Sequence, residues 1–175
     1  MKNWNTFFKV AVFALFVVVA ASGCKKSSNL DPVFYTPEHE ASITKEWLDS
    51  MVANGFNIDT TSTGILYIAG KVGTGPTVKA GDVVTVKYKG KFLDGTVFDA
   101  SEYHSEAGTM TYVHKAPTDA TKTLIQGWEE GIEMLSKGGS AAFLIPSAKG
   151  YGSSGNSTIP PYTPLIFVIE VVDIK

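Results

Sequence analysis

The segment from Val83 to Phe92 restricts the fold of this chain more than any other, because its side chains alternate in kind. One face carries apolar or aromatic side chains, and the other carries threonine and lysine. These are Val84, Val86, Tyr88 and Phe92 on the first face and Thr85, Lys87, Lys89 and Lys91 on the second. A period of two with one polar face is typical of an antiparallel strand with one side in water. The segment therefore predicts an antiparallel sheet with one solvent-exposed side.

Shorter strand-like segments and one helical segment accompany this strand. Further strands are predicted over 65–69, from Val97, over 109–113, over 141–145 and over 165–174. The last of these is almost continuously apolar, so we expect it to be central in the sheet. A short helix is predicted over 124–135 from one apolar stripe. The stripe consists of Leu124, Trp128, Ile132 and Leu135. The fold class is α+β: an antiparallel twisted β-sheet wrapped around one short helix.

Another short helix is predicted before the sheet, over 38–53. Its apolar residues recur at spacings of three and four, namely Ile43, Trp47, Leu48 and Met51. Ser42 or Thr44 is expected to cap its start, and Asn54 with Gly55 is expected to end it. Because it is a single short helix, we do not interpret it as a dimerisation stalk, and we expect a monomer.

The first residues have the pattern of an export signal. Lys2 and Lys9 are followed by an uncharged apolar run, Val10–Ala21, which is shorter than the roughly twenty residues that span a bilayer as a helix. A positive start, a short apolar core and then small residues are typical of a removable secretory signal, which we predict over 1–23. An uncleaved membrane helix is the alternative.

The small residues end in Ala21-Ser22-Gly23-Cys24, which resembles the bacterial lipobox, where a cysteine receives lipid after cleavage. Cys24 is the only cysteine, so the chain forms no internal disulfide. The alternative is an incidental cysteine. Lipid on Cys24 would anchor the protein to a membrane. We then expect a tether over 24–37, a helical extension over 38–61 and the folded domain over 62–175. We expect it in the bacterial envelope, at the outer membrane facing the periplasm.

Charge and composition argue against several classes of function. The formal net charge is −2 and the sequence contains no arginine, so we expect no nucleic-acid partner. The sequence has no phosphate-binding loop, nucleophile elbow or His/Cys metal motif, so we expect neither a metal nor an organic cofactor. His39, His104 and His114 have polar neighbours in the sequence, and all three are predicted at the surface.

Four motifs follow one another between Ser62 and Lys175. They are the strand and turn at 86–90 and 94–101, the helix start at 124–131, the loop elements at 145–146, 151–152 and 159–161, and the strand at 165–171. In this order they resemble the FKBP-type family of peptidyl-prolyl cis-trans isomerases. Each motif alone is weak, and each aromatic residue in them, taken singly, is expected to belong to an ordinary core. The ordered set indicates this family.

The resemblance implies an enzyme that rotates the peptide bond before proline in exported polypeptides, without a cofactor. It implies Trp128 as the floor of the pocket and Asp99 as a buried carboxylate reached by the Tyr88 hydroxyl. The walls would be Tyr88, Phe98, Leu124, Ile125, Ile159 and Phe167, with Met110 in place of a wall aromatic. The Tyr151 hydroxyl and the Ile125 backbone N–H would bind substrate carbonyls. Macrolide immunosuppressants are expected ligands.

Three departures from the family pattern bear on the site. The family often pairs the aspartate with an arginine, which is missing here. The segment between Asp99 and Gly127 is longer than in short members, with Pro117–Thr123 as part of the extra loop, and Asn156 stands where some members have histidine. These departures leave a second hypothesis open: a lipid-anchored peptide-binding chaperone with little or no turnover.

Overall fold

The computed structural model describes residues 35–115 and 124–175. The predicted signal over 1–23, Cys24, most of the predicted tether and the extra loop Pro117–Thr123 lie outside the described residues. The described residues belong to one compact unit. Neither α-helix in them has the length and apolar character needed to cross a membrane.

Within residues 35–115 and 124–175, seven antiparallel strands form a single sheet in the order β1-β2-β6-β7-β3-β4, with β5 also paired to β3. The strands are β1 (Asp59–Thr60), β2 (Leu66–Ala69), β3 (Val83–Lys91), β4 (Val97–Ala100), β5 (Met110–Val113), β6 (Ser140–Ile145) and β7 (Leu165–Ile174). The predicted central position of β7 is confirmed, since β6 and β3 flank it. Strand β1 lies within the range predicted as the helical extension, so the sheet begins before residue 62.

The predicted alternation along β3 is confirmed. Val84 and Val86 are completely buried, whereas Lys87 and Lys89 are exposed. On the exposed side, Lys87 lies directly opposite Glu170 of β7, an arrangement of opposite charges that favours this register. The inner side of β3 therefore carries the core, and its last buried side chain, Tyr88, points into the candidate site.

The helix that packs on the inner face, α2 (Gln126–Ile132), is shorter than predicted. The residues after Ile132 leave the helix because their backbone pairs with a neighbouring segment instead. The Val78 N–H donates to the Leu135 carbonyl (3.1 Å), and the Lys137 N–H donates to the Pro76 carbonyl (2.9 Å). Leu135 is still buried, as the apolar stripe predicted.

The first helix, α1 (Pro37–Ala53), begins one residue earlier than predicted. Its N-cap is Thr36 rather than Ser42 or Thr44, because the Thr36 side chain accepts a hydrogen bond from the His39 N–H and Pro37 suits the first helical position. The predicted end is confirmed, with Asn54 as the C-cap. Trp47 lines a small cavity together with Leu66, Leu144 and Ile166 of the sheet.

The prediction that His114 is a surface residue is wrong. The residue is fully buried at the end of β5, and its Nε2 lies 3.0 Å from Glu133 Oε1. Its polar neighbours in the sequence point outward, and the strand turns the imidazole itself inward against the Tyr112 ring. The charge of Glu133 gives the buried ring a polar partner.

Candidate active site

Trp128 lies at the bottom of the candidate site, in the first turn of α2, and is 2% exposed. Tyr88 and Phe167 meet its ring edge-on, with centroid distances of 5.1 and 5.3 Å. These are favourable perpendicular arrangements of aromatic rings. The helix approaches the sheet closely here because residue 127 is glycine: a Cβ at that position would lie 2.3 Å from Cγ2 of Ile145. The position of Trp128 therefore depends on Gly127.

Phe98 of β4 and Phe167 of β7 form a third perpendicular pair, with centroids 5.6 Å apart. Gly90 on β3 permits this pair, since a Cβ there would lie 2.6 Å from Phe98 Cζ and 3.0 Å from Phe167 Cε1. Phe167 thus touches Tyr88, Trp128 and Phe98 at once. We call Tyr88, Phe98, Trp128 and Phe167 the aromatic cup.

The remaining apolar residues predicted for the site lie in or against the same core cluster. Ile159 is buried, and Met110, Leu124 and Ile125 are partly buried at its margin. The structure therefore brings together every apolar side chain that the sequence predicted for the site. They come from four strands, the start of α2 and the loop before β7, which no local sequence signal joins.

The carboxylate of Asp99 lies at the end of β4, next to the aromatic cup. The Tyr88 hydroxyl donates to its Oδ2 at 2.8 Å, as predicted, and the Ala100 N–H donates to its Oδ1 at 2.8 Å. The prediction of a buried carboxylate is wrong in degree, because the side chain is 35% exposed where the chain turns into a short 3₁₀ helix, Ser101–Tyr103. Burial, together with the Asp99 carboxylate, raises the pKa of Tyr88 above its ordinary value, so its hydroxyl remains a donor.

His104 provides the partner of Asp99 that sequence analysis did not find. Its Nε2 lies 2.6 Å from Asp99 Oδ1, and its side chain is 59% exposed. The surface position of His104 was predicted correctly, but its role was missed. A search for any basic residue shortly after Asp99, rather than for arginine alone, would have found it. We call Asp99, His104 and Tyr151 the polar rim.

Tyr151, the third residue of the polar rim, lies in the loop before β7 and is 37% exposed. Burial, with the nearby Asp99 charge, raises the pKa of Tyr151, so its hydroxyl also remains protonated.

Both helices hold the start of the loop that carries Tyr151. The Ser147 N–H and hydroxyl donate to the Glu40 carboxylate of α1, at 2.6 and 2.5 Å. The Lys149 ammonium donates to both oxygens of Glu130 in α2, at 2.8 Å each. The loop therefore has a charged anchor on each side of its first turn.

Asn156 serves the conformation of the same loop. Its Oδ1 accepts hydrogen bonds from the N–H groups of Thr158 (2.8 Å) and Ile159 (2.7 Å). This is a local turn of the type that asparagine favours. It fixes the backbone that places the buried Ile159 against the cup.

Two further donors complete the geometry. Ile125 has an extended backbone just before α2, and among the described residues no hydrogen bond uses its N–H.

The Trp128 indole N–H donates to the Tyr112 hydroxyl at 2.9 Å. Burial raises the pKa of Tyr112 to about 12. Sequence analysis missed Tyr112, which stands two residues after Met110 on the same face of β5.

The described residues contain no group of three or more side chains suited to hold a metal ion.

Comparison with known proteins gives a consistent result. The family model described as FKBP-type peptidyl-prolyl cis-trans isomerase matches residues 75–172. The FkpA isomerase of Buchnera aphidicola subsp. Schizaphis graminum is 39% identical over 119 residues, which is 67% of this chain and 44% of that protein. The FkpA of Escherichia coli is 35% identical over 118 residues, 67% of this chain and 40% of that protein. The match thus covers less than half the length of these relatives.

Solved structures share the fold. The crystal structure of FkpA from Escherichia coli has a TM-score of 0.61 and 30% identity, covering 78% of this chain and 64% of that one. A peptidyl-prolyl cis-trans isomerase from Pseudomonas syringae pv. tomato has a TM-score of 0.64 and 26% identity, covering 80% and 96%. The α+β fold predicted from the sequence is confirmed. The chain belongs to the FKBP-type peptidyl-prolyl cis-trans isomerase family.

Proposed function

We propose that this protein catalyses rotation about the peptide bond before proline in exported polypeptides. The observation that carries the proposal is the aromatic cup with Asp99 at its edge, held to Tyr88 by a 2.8 Å hydrogen bond. A core without a ligand does not need a partly exposed carboxylate bonded to a buried tyrosine. The arrangement suits a proline ring with a polar contact beside it.

The reaction requires no bond to the enzyme. Amide resonance makes a barrier of about 18–20 kcal/mol, and uncatalysed exchange before proline takes tens of seconds or more. When the amide twists, resonance is lost and its carbonyl becomes less polar. Water therefore stabilises the planar states more than the twisted state, and the aromatic cup excludes water. Binding the twisted state more tightly than the planar states is what accelerates rotation.

The polar groups hold the substrate and the pocket in place. The Ile125 N–H and the Tyr151 hydroxyl would donate to carbonyl oxygens of the bound peptide. Asp99 and Tyr88 would fix the polar edge of the cup, without transferring a proton, since the raised pKa of Tyr88 keeps its hydroxyl protonated. No cofactor enters this mechanism.

The test is cis–trans exchange in a short X-Pro peptide, followed by NMR with the purified full chain. Phe98→Ala removes a partly exposed wall of the cup, and Asp99→Asn removes the charge at its edge. Lys87→Ala is the matched control, because Lys87 is exposed on the other side of β3. We expect acceleration by the wild type and by the control, and a loss of about tenfold or more in both site variants, equivalent to about 1.4 kcal/mol in the barrier.

A folded wild type that does not accelerate exchange would contradict the proposal. Suppression of client aggregation by the same protein would then support the second hypothesis, a peptide-binding chaperone without useful turnover. The pairing of Asp99 with His104 favours the enzyme, because it replaces the arginine that the sequence lacks.

We further propose that the protein is exported and anchored to the cell envelope through lipid on Cys24, at the outer membrane facing the periplasm. The charged start, the short apolar run and the lipobox-like sequence before Cys24 support this. Mass spectrometry of the protein from bacterial membranes should find residues 1–23 removed and acyl chains on Cys24. Cys24→Ala should appear in the soluble fraction; retention in the membrane would contradict the anchor.

The pocket should also bind macrolide immunosuppressants, as the family membership suggests. A macrolide should inhibit the exchange reaction of the wild type competitively.

The protein should also be a monomer. Sedimentation of the full chain in detergent tests the oligomeric state, and a dimer there would contradict the expectation drawn from its single short N-terminal helix.

A further inference from the structure

The imidazole of His104 shares one carboxylate with the aromatic cup. Its Nε2 lies 2.6 Å from Asp99 Oδ1, while the hydroxyl of Tyr88 donates to Oδ2. Tyr88 in turn meets the Trp128 ring edge-on at 5.1 Å. A continuous series of contacts therefore leads from an exposed histidine to the bottom of the site. We propose that His104 is a positioning residue for the proposed isomerase and makes its rate depend on pH; this inference rests on the proposed function.

The turn that carries His104 is braced, so the contact is part of the fold. The Ser101 hydroxyl donates to the Gly108 carbonyl at 2.7 Å and accepts from the Tyr88 N–H at 3.1 Å. Ser105 stabilises the second half of this turn. Its hydroxyl donates to the Thr109 carbonyl at 2.7 Å and accepts from the Thr109 N–H at 3.0 Å. These bonds hold residue 104 over the end of β4.

The other titratable groups described around this contact do not compete with His104 for the Asp99 carboxylate. Tyr88 on β3 and Tyr151 on the loop face the carboxylate, and their raised pKa values keep both uncharged. Glu102, on the same turn as His104, pairs with Lys89 of β3 at 2.9 Å. Within residues 35–115 and 124–175, His104 is the one basic side chain in an ion-pair contact with Asp99.

The consequence for pH follows from the chemistry of imidazole. Histidine changes charge between about pH 5 and 8. The protonated ring makes a charge-assisted hydrogen bond to the carboxylate and neutralises it; the neutral ring can still donate from Nε2, but the bond is weaker and the carboxylate charge is uncompensated. Asp99 is then held less firmly beside the apolar cup. The rate should therefore be higher when His104 is protonated and fall as pH rises.

The size of the effect is limited by solvent, because both side chains are partly exposed. Exposed pairs contribute little, so we expect kcat/KM to fall by about two- to fourfold across the transition, equivalent to about 0.4–0.8 kcal/mol. Three variants test this in the X-Pro exchange assay, between about pH 5.5 and 8.5. His104→Arg keeps a positive charge throughout, His104→Gln keeps a neutral donor, and His39→Gln changes a histidine of α1 as the matched control.

The inference predicts that the fall is present in the wild type and in His39→Gln and absent in both His104 variants. His104→Arg should keep the rate of the acidic form, and His104→Gln should keep the rate of the basic form. A flat wild-type profile, or the same fall in His104→Arg, would overturn the role of His104 while leaving the isomerase standing. A folded wild type with no catalysis at any pH would overturn both.

Discussion

The aromatic cup and the polar rim are adjacent, but they are held in place in different ways. In the cup, Phe167 touches three other rings, and Trp128 and Phe167 are 2% and 5% exposed. In the rim, each side chain is at least one-third exposed. Hydrogen bonds such as those of Asp99 with Tyr88 and His104, rather than close packing, hold it. Packing of many apolar contacts is collective, whereas a hydrogen-bonded rim depends on a few individual partners.

The difference indicates that the two regions will respond differently to change. Substitutions in the cup should alter the stability of the domain together with the site, because the cup is part of the core cluster. Substitutions in the rim should alter the site with less effect on stability. Four substitutions examine this contrast, one in the cup and three at positions that support the cup or the loop of Tyr151, beginning with the largest expected effect.

Trp128→Ala should reduce the free energy of unfolding by about 3–5 kcal/mol, because it removes the largest ring of the cup from a buried site. It also leaves the Tyr112 hydroxyl without the indole donor. Urea unfolding measures the loss. Trp47→Ala is the matched control on α1, where the ring is only partly buried, and it should lose clearly less. Equal losses would mean that the cup is not the more tightly packed region.

Gly127→Ala should reduce the free energy of unfolding by about 1–3 kcal/mol, because the new methyl group would overlap with Ile145 at 2.3 Å. The same change at Gly131 is the control, one turn further along α2. There the nearest atom is 3.1 Å away on Phe143, and the gain in helix propensity of about 1 kcal/mol offsets the crowding. Thermal unfolding of both variants should separate them; similar stabilities would show that α2 does not depend on close contact with β6.

Glu40→Ala should reduce the free energy of unfolding by about 1–2 kcal/mol, since two hydrogen bonds from Ser147 to a charged acceptor are lost. The loop that carries Tyr151 is then less well placed, so KM for an X-Pro peptide should rise. Glu46→Ala, at an exposed position of the same helix, should change neither quantity. An unchanged KM in Glu40→Ala would show that α1 does not help to position Tyr151.

Glu130→Gln should reduce the free energy of unfolding by about 1 kcal/mol near neutral pH, because the Glu130–Lys149 pair is only 18% exposed on each side. Burial opposes the charge of Glu130, but hydrogen bonds from Lys149 and Gln126 outweigh it, and its pKa is lowered from 4.5. A lowered carboxyl pKa contributes stability that is present above the unfolded value and lost as pH falls through the folded value.

The difference between wild type and Glu130→Gln should therefore shrink when urea unfolding is repeated at about pH 3. A difference that stays constant with pH would mean that the ion pair does not hold the loop.

The regular parts of this molecule follow from the sequence, because they depend on local periodicity. Alternation along β3 and the apolar character of β7 predicted the buried face and the centre of the sheet. The C-terminal end of α2 did not follow, since it depends on pairing of 135–137 with 76–78, far apart in the sequence. Thr36 was missed as a cap although Pro37 beside it is a usual signal.

The same division applies to the site. The cup residues lie in motifs, so their resemblance to a family identified them. The contact of His104 with Asp99 depends on a 3₁₀ turn between them, and the burial of His114 depends on the direction in which one strand ends. Spacing identifies His104 as a basic residue close to Asp99 in the sequence. Whether its ring reaches the carboxylate, and whether His114 points inward, depends on how a short irregular segment turns a single side chain.

The most direct test of this account is a separate determination of kcat and KM for Phe98→Leu and Tyr151→Phe, by NMR exchange over a range of X-Pro peptide concentrations. The cup should act on the twisted state, so Phe98→Leu should lower kcat by about tenfold. The Tyr151 hydroxyl should bind planar and twisted substrate alike, so Tyr151→Phe should raise KM by about two- to tenfold with kcat unchanged. A fall in kcat of the same size in both variants, or an unchanged kcat in Phe98→Leu, would contradict the division of roles between cup and rim.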